Sequence, residues 1–509
     1  MIGKQLFIIL LVTIIAVGAK AQKIVYSDYD KEDSRRMNFE IVGKLNGNFV
    51  IYKNVRNKHW ITGLDNEMQQ VYKTELNYLP TEDRMINSDF FAYGDYVYMI
   101  YQYQKKSVVY CMASKIDANG KQIGEPVQLD TTHLGFAADN KIYSVISSED
   151  KSKIGVFKIN SRNKRLYIMT SMLFTDKLEL LKKSVIEIPM EERNEDLGDF
   201  KLDNDGDIVF CKFLRNFNEN ITDATFLIKQ AMSDTLIPHT LNLEKIMLDE
   251  INVKVDNPNK RYLLASLYYK EKRGNVEGYY FYIWDKSTGQ ISMETTHSFS
   301  EELRQEARGD ATMKTAFNDY FIRNIISKKD GGFIVSAEAY YTKSRFNNWN
   351  RWDYLYGGYP YYGSPSYYYS PYYYNRYWWN SPRYSSNQAV RYHADNITIL
   401  SYRPSGELEW STVVTKEQYD DETDDRLSFQ IMNTGGQLHF LFNQLEKRYL
   451  ILNDYSIAPD GTITRNPTLK NLDRGYEFLP KYAKQVTARQ MIVPCLYRNY
   501  ICFSKIDYN

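Results

Sequence analysis

The sequence predicts an all-β protein, a β-propeller of seven or eight blades with eight favoured, and three observations carry that reading. Nearly every apolar run is short, rich in Val, Ile, Tyr and Phe, and bounded by Asn, Asp or Gly, as at 48–52, 96–103, 207–213, 261–269, 332–337 and 437–442; such runs are strands. One kind of turn recurs at a fixed interval. Helical periodicity is weak and local, confined to 301–307, with Ser300 as its cap, and to 241–248.

Composition sets the outer limits. The chain has 509 residues, 43% hydrophobic and 25% charged, with 14 Pro and 26 Gly; it is neither disordered nor fibrous and has enough apolar residues for a large core. Lys and Arg number 64 against 63 Asp and Glu, a net charge of +1 that becomes −1 once a leader holding Lys4 and Lys20 is removed. That balance argues against a protein that wraps nucleic acid by backbone electrostatics.

The first element is the leader, residues 1–21. Lys4 starts it, 6–17 are apolar, and Ala19-Lys20-Ala21 gives a small-x-small cleavage site before Gln22. No later apolar run is long enough to span a membrane, so the mature chain, 22–509, reads as one exported domain without a transmembrane segment.

Lys23 to Tyr26 follows as an orphan strand. The recurring turn then appears at 115–120, 283–289, 402–406 and 457–461, each closed by Gly, which adopts positive φ without steric cost. Gly120, Gly289, Gly406 and Gly461 are 169, 117 and 55 residues apart. A unit of about 55 residues accounts for the first and third intervals, and an insertion for the excess in the second. Leu64-Asp65-Asn66 is the same turn without its Gly; weaker copies fit at 160–163 and at Ser233-Asp234. Leading segments begin near Met37, Ile86, Phe136, Gly198, Glu250, Asn318, Leu427 and Ala483. A lone four-stranded unit cannot bury both faces, so the units stack radially, and a propeller leaves only short edges. The last unit is incomplete, and the orphan strand at 23–26 is expected to complete it and close the ring.

The insertion, residues 341–393, carries the unusual chemistry. Between Tyr354 and Tyr384 there are 13 tyrosines in 31 residues. The candidate binding residues are Trp349, Trp352, Tyr354, Tyr356, Tyr359, Tyr361, Tyr362, Tyr367, Tyr368, Tyr369, Tyr372, Tyr373, Tyr374, Tyr377, Trp378 and Trp379. Amphipathic rings of this density suit docking to a protein or membrane surface, and they also stack on sugars. A low-complexity loop folded on its own propeller accounts for the same letters.

Other motifs are weaker. Asp203, Asp205 and Asp207 alternate around Gly206 as a calcium loop does, yet the twelfth position is Leu214, where an EF-hand has Glu, and a hairpin turn explains the same residues. The run Glu417, Asp420, Asp421, Glu422, Asp424 and Asp425 reads as a solvated acidic connection. The six histidines are scattered, and no nucleophile elbow, phosphate loop or dinucleotide fingerprint occurs. The leading segments show Arg323 and Gln430 but no acid–base set, so binding ranks above hydrolysis and no cofactor is expected. Four cysteines fit no zinc pattern; Cys495 and Cys502 flank Arg498-Asn499 symmetrically, which suits a cross-strand disulfide and two unpaired core thiols equally well.

The leader, the blade-like hairpins and stretches such as Tyr101-Gln-Tyr-Gln104, Leu129-Asp-Thr-Thr132 and Phe478-Leu-Pro-Lys-Tyr482 resemble the exported β-propeller-like proteins of Bacteroidota. The resemblance implies a scaffold or binding subunit of an outer-membrane-associated complex, placed in the periplasm or peripheral to the outer membrane rather than outside the cell. A β-barrel outer-membrane protein or its assembly is the implied partner, met through the Tyr-rich insertion. The alternative is a secreted propeller that binds or degrades carbohydrate.

Overall fold

The computed structural model describes residues 23–508 apart from 33, 35–36, 81–83, 136, 139–140, 164, 191–194, 216–219, 273, 345–367, 370–389, 422, 447–448, 468 and 470–474. The leader therefore lies outside the described residues. So do all the aromatic residues proposed for binding, except the backbone of Tyr368 and Tyr369.

After β1 (Lys23–Tyr26), the chain repeats one antiparallel meander. Its first sheet holds β2 (Met37–Leu45), β3 (Asn48–Val55), β4 (Lys58–Leu64) and β5 (Gln70–Glu75). The second holds β6 (Arg84–Ala92), β7 (Tyr96–Lys105), β8 (Val108–Asp117) and β9 (Gln122–His133). The third holds β10 (Ser144–Ser147), β11 (Lys153–Asn163), β12 (Leu166–Thr175) and β13 (Leu180–Pro189). Two further meanders share one sheet. They are β14 (Glu195–Leu202), β15 (Ile208–Arg215), β16 (Ile221–Lys229) and β17 (Leu236–Thr240), then β19 (Asn252–Asp256), β20 (Arg261–Tyr269), β21 (Gly278–Asp285) and β22 (Gln290–Ser298). The short β18 (Met247–Leu248) bridges them by pairing with both β16 and β20.

Helix α1 (Glu301–Ala307), capped by the Ser300 side chain as the sequence predicts, precedes β23 (Tyr320–Ser327), β24 (Phe333–Ser344), β26 (Val390–Tyr402) and β27 (Leu408–Val414). The two-residue β25 (Tyr368–Tyr369) pairs with β11, and β28 (Tyr419–Asp420) pairs with β26. Then come β29 (Phe429–Asn433), β30 (Leu438–Glu446), β31 (Tyr449–Ile457) and β32 (Ile463–Arg465). In the last sheet β33 (Tyr476–Phe478) and β34 (Lys484–Thr487) both pair with β35 (Gln490–Tyr497), which pairs with β36 (Tyr500–Asp507).

The N-terminal strand closes the ring. β1 runs antiparallel to β36, from Lys23 opposite Asp507 to Tyr26 opposite Ser504. Backbone N–H groups of Ser27, Asp30 and Ser34 continue along the same edge onto the carbonyls of Phe503, Ile501 and Asn499.

The core explains why the strands were legible. The second strand of each meander is buried on both faces, so it reads as a continuous apolar run. Its alternate residues serve different neighbours. On β7, Val97, Met99 and Tyr101 pack with Val42, Val50 and Ile61 of the first sheet. Tyr98 and Ile100, one residue out of phase, pack with Ile154, Val156 and Met172 of the third. The same alternation repeats around the ring until Phe39, Ile41 and Phe49 meet Ile492, Leu496 and Phe503. Stability thus resides in the interfaces between sheets.

The recurring turn joins the third and fourth strands, and positive φ recurs there at Met68, Gly120, Leu178, Gly289, Gly406 and Gly461. A side chain holds the turn in Gly and non-Gly copies alike, as Asp117 does by accepting from Asn119 and Lys121 beside Gly120. The Asp65 carboxylate accepts from the N–H of Glu67 and Gln69, and Thr175 Oγ1 accepts from Lys177 and Glu179, offsetting roughly 1–2 kcal/mol of left-handed strain.

Several expectations need correction. The third meander's copy of the turn is at 175–179, whereas 160–163 lies at the β11–β12 hairpin; both segments are polar and of similar length. Its leading strand begins at Ser144 rather than near Phe136, because Leu134, Ala138 and Ile142 are apolar residues of a buried connection. Residues 241–248 form no helix: Leu241 and Leu243 fill the core, and Met247–Leu248 is the bridging strand. The insertion is also shorter than 341–393, since strand pairing continues from Tyr341 opposite His393 to Ser344 opposite Val390.

Candidate functional site: the channel and its rim

The first strand of each meander lies innermost. β2 touches β6 and β34, β14 touches β10 and β19, and β19 touches β23, so these strands enclose a channel. Their unpaired N–H groups are captured by side chains of adjoining meanders. Asp199 accepts from Val253 N–H, Glu250 from Ile322 N–H at 3.1 Å, and Gln485 from Asn433 N–H at 3.1 Å.

Charged groups from several inner strands converge where the ring closes. Glu40 of β2 is half-buried. Lys484 of β34 donates to the Val42 carbonyl at 3.2 Å. Asp89 of β6 accepts from both the Lys141 ammonium, at 2.9 and 2.8 Å, and Asn87. Among the described residues the Glu40 carboxyl itself has no ion pair or hydrogen bond. Burial deep in the ring raises its carboxyl to about 7, Asp89 adds to the rise, and Lys484 and Lys141 oppose it. Burial likewise lowers Lys484. Behind Glu40, the Tyr52 hydroxyl is 2.7 Å from His59 Nδ1, and desolvation lowers that imidazole to about 4, leaving it neutral at pH 7. The arrangement presents a carboxyl that exchanges its proton near neutrality beside two lysines. Alternating strand residues hid this in the sequence: Glu40 and Asp89 are isolated acids in apolar strands, 49 residues apart.

At the end where inner strands finish, a cavity of about 370 Å³ opens between β10, β14 and β19. Ile146, Leu202, Val253 and Val255 contribute apolar walls, and Lys201, Lys254, Glu149 and Asn257 polar ones. Lys201 pairs with Asp199 at 2.5 Å, while Lys254 stands 3.8 Å from Glu149.

Beside it lies the proposed calcium loop. Asp203, Asp205 and Asp207 all point at one ammonium, that of Lys286, at 2.5, 2.7 and 2.8 Å. Burial lowers that lysine, but the three carboxylates outweigh it and hold the ammonium above its ordinary range. The loop is a hairpin turn whose backbone N–H groups at Asp205 and Asp207 bond to Asp203. Among the described residues no three His, Cys, Asp or Glu side chains are arranged to hold a metal ion. The missed signal was Lys286, which sits in a recurring turn of the adjoining meander.

The root of the insertion is well defined. Tyr341 stacks on His393 with ring centres 4.6 Å apart and planes 9° from parallel, and its hydroxyl donates to Asp395 at 2.9 Å. Arg391 forms a two-point pair with Asp421 at 2.6 and 3.0 Å and lies over the Tyr419 ring. From this root, at the end where inner strands begin, the chain reaches β25. Tyr369 pairs with Ile159 and Tyr368 with Asn160, along the β11 edge that β10 leaves open beyond Phe157. That edge is the channel side, because β12 occupies the other.

The acidic connection is solvated only in part: Glu417 and Asp421 are exposed as expected, Glu422 lies outside the described residues, and Asp424 and Asp425 turn inward. Asp424 is 5% exposed and accepts from Lys481 at 2.7 Å and from the Tyr340 hydroxyl at 3.2 Å. Asp425 accepts from Tyr482, and Asp420 pairs with Arg426. The carboxylates tie β24 to the start of the last sheet.

No family model matches the sequence, and no curated protein matches it. Among solved structures, the chain is similar to an ulvan lyase, a polysaccharide lyase, at 10% identity and a TM-score of 0.37, covering 83% of this chain and 93% of that one. It is similar to the β-propeller domain of the Trilobed protease from Pyrococcus furiosus, described as having an open velcro topology, at 9% identity and a TM-score of 0.36 over the same shares. Prolyl oligopeptidase B from Galerina marginata matches at 9% identity and a TM-score of 0.40; 92% of this chain covers 56% of that one. Identities this low assign neither reaction nor substrate. Among the described residues no helix is long and apolar enough to cross a membrane.

Proposed function

We propose that the chain is an exported, non-enzymatic binding or scaffold subunit of a bacterial outer-membrane-associated complex, an eight-bladed ring that docks through its Tyr/Trp-rich insertion. The observation that carries this reading is the root of the insertion. Tyr341, His393, Asp395, Arg391 and Asp421 brace the longest hairpin of the fold, so the aromatic segment leaves from a stiff support. Thirteen tyrosines in 31 residues are a solubility liability unless covered, and rings on such a support bury area at small entropic cost. A β-barrel protein, with aromatic girdles of its own, is the proposed partner. The test is a pull-down from native membranes with the intact chain and with a variant carrying a short Gly/Ser linker in place of residues 347–384. Loss of a β-barrel partner from a normally folded variant supports the proposal; equal recovery overturns it.

The channel supports a second reading, a carbohydrate-binding or glycan-degrading propeller, because Glu40 offers a proton near neutrality and a cavity opens at one rim. Turnover of a glycan by the purified chain, abolished by Glu40→Gln, would establish that reading in place of the first.

A further inference from the structure

Cys495 and Cys502 are direct register partners in the β35–β36 hairpin. Their Sγ atoms stand 2.6 Å apart and both side chains are fully enclosed, at 0% exposure. Carbon atoms in van der Waals contact settle at about 3.5–4 Å and sulfur is larger than carbon, so the hairpin brings these two sulfurs closer than unbonded contact. Opposed residues of antiparallel strands have Cα atoms about 4.5–5.5 Å apart, within the span of about 4.4–6.8 Å that a disulfide bridges. Cys111 and Cys211 are buried in two other core clusters.

We propose that Cys495 and Cys502 form a disulfide that locks the hairpin on which the ring closes. Its place in the fold gives the bond its role. β36 meets β35 along one edge and receives β1 along the other, with Ser27 Oγ accepting from Phe503 N–H at 3.0 Å beside Cys502. A covalent tie fixes β36 in register before the N-terminal segment docks, so the strand that completes the ring finds a preformed edge.

The chemistry balances with a disulfide oxidant such as oxidised glutathione. One protein thiolate attacks a sulfur of the oxidant, forming a mixed disulfide and releasing one thiol. The second protein thiolate then displaces the other thiol, so the oxidant takes up the two electrons and the two protons that the cysteines lose. Burial raises the Cys495 thiol well above its ordinary range, which makes it a poor nucleophile in the closed hairpin. The bond therefore forms while the hairpin is open, during folding, and is shielded afterwards.

The test uses the whole chain. It is unfolded under reductant, refolded in glutathione buffer or under reductant, quenched in acid, then denatured and alkylated with iodoacetamide. Of the four cysteines, two are expected to react after oxidative refolding and all four after reductive refolding, with one cross-linked peptide pair joining Cys495 to Cys502. The oxidised form should melt about 2–3 °C higher than the reduced form, as a short closed loop in a chain of this size implies. That shift should vanish in the Cys495→Ala/Cys502→Ala variant. Four alkylated cysteines in correctly folded protein from the glutathione buffer would overturn the proposal, as would a cross-link to Cys111 or Cys211. The alkylation count needs no variant, so a misfolded variant does not blunt it.

Discussion

Lys416 Nζ lies 2.9 Å from Glu338 Oε1, and neither side chain exposes any surface. The pair sits between β24 and the segment after β27. Arg323 and Ser428 donate to Glu338 Oε2 at 2.9 and 2.6 Å, and Lys416 donates to the Ala394 carbonyl and to Gln418 at 2.6 and 2.7 Å. Arg323, which the sequence singles out as a polar residue of a leading segment, thus serves this network.

Breaking such a pair from one side leaves a buried charge unmatched, which costs about 3–5 kcal/mol. Glu338→Gln and Lys416→Met are each expected to lower stability by that order in guanidinium unfolding. The double variant Glu338→Leu/Lys416→Met should recover at least half of the loss. A double variant as unstable as the sum of the singles would show that the pair acts as two independent groups.

The same carboxylate sets an acid limit. Burial pushes Glu338 up, but Lys416, Arg323 and the Ser428 hydroxyl outweigh it and hold the group below its ordinary range. A carboxyl lowered by folding contributes stability that is complete above its unfolded value, near 4.5, and is lost as pH falls through the folded one. Unfolding midpoints measured from pH 6 to pH 3 should fall more steeply for the wild type than for Glu338→Gln. Parallel curves would remove Glu338 from the acid transition.

Ring closure is testable at Asp30, whose carboxylate meets Lys53 at 2.6 Å with both side chains 10% exposed. Asp30→Asn leaves Lys53 enclosed without its counter-charge and is expected to cost about 1–3 kcal/mol. Deleting residues 23–30 also bares the edge of β36, so its melting temperature should fall further than that of the point variant. An unchanged melting temperature for the deletion would mean that β1 adds nothing to closure.

Lys286 decides how the Asp203 loop behaves toward cations. With the ammonium in place, calcium chloride should leave the melting temperature unchanged. Lys286→Met leaves Asp203, Asp205 and Asp207 facing one another, and the variant should be destabilised and then partly rescued by millimolar calcium. Calcium stabilising the wild type equally would show that the lysine does not fill the loop's charge requirement.

What the sequence discloses and what it hides follow from the same geometry. Strands such as β7 and β20 are buried on both faces, so their apolar runs stand out, and the Gly of the recurring turn marks a backbone need that few residues meet. Met68 and Leu178 meet that need with help from Asp65 and Thr175, which is why those copies are faint or misplaced. The candidate site is harder to read, because Glu40, Asp89, Lys141 and Lys484 come from inner strands and connections of separate sheets and meet only when the ring closes. Lys286 likewise belongs to the Asp203 loop only through the packing of adjoining meanders.

Glu40 offers the sharpest test of the channel. Folding raises its carboxyl to about 7 from an ordinary 4.5, chiefly by burial, so the folded state holds this proton more firmly than the unfolded chain. Its contribution is then complete below about pH 4.5 and is lost as pH rises through about 7. Every tenfold gain in proton affinity is worth about 1.4 kcal/mol, and the water that reaches the half-buried carboxyl reduces the total to about 1–2 kcal/mol. Glu40→Gln keeps the shape and removes the ionisation. The variant should match the wild type in denaturant unfolding at pH 4.5 and exceed it by about 1–2 kcal/mol at pH 8. An offset that stays constant between those two pH values would show that folding leaves the Glu40 carboxyl unshifted, with Lys484 close enough to cancel its burial, and the channel would then hold no proton donor near neutrality.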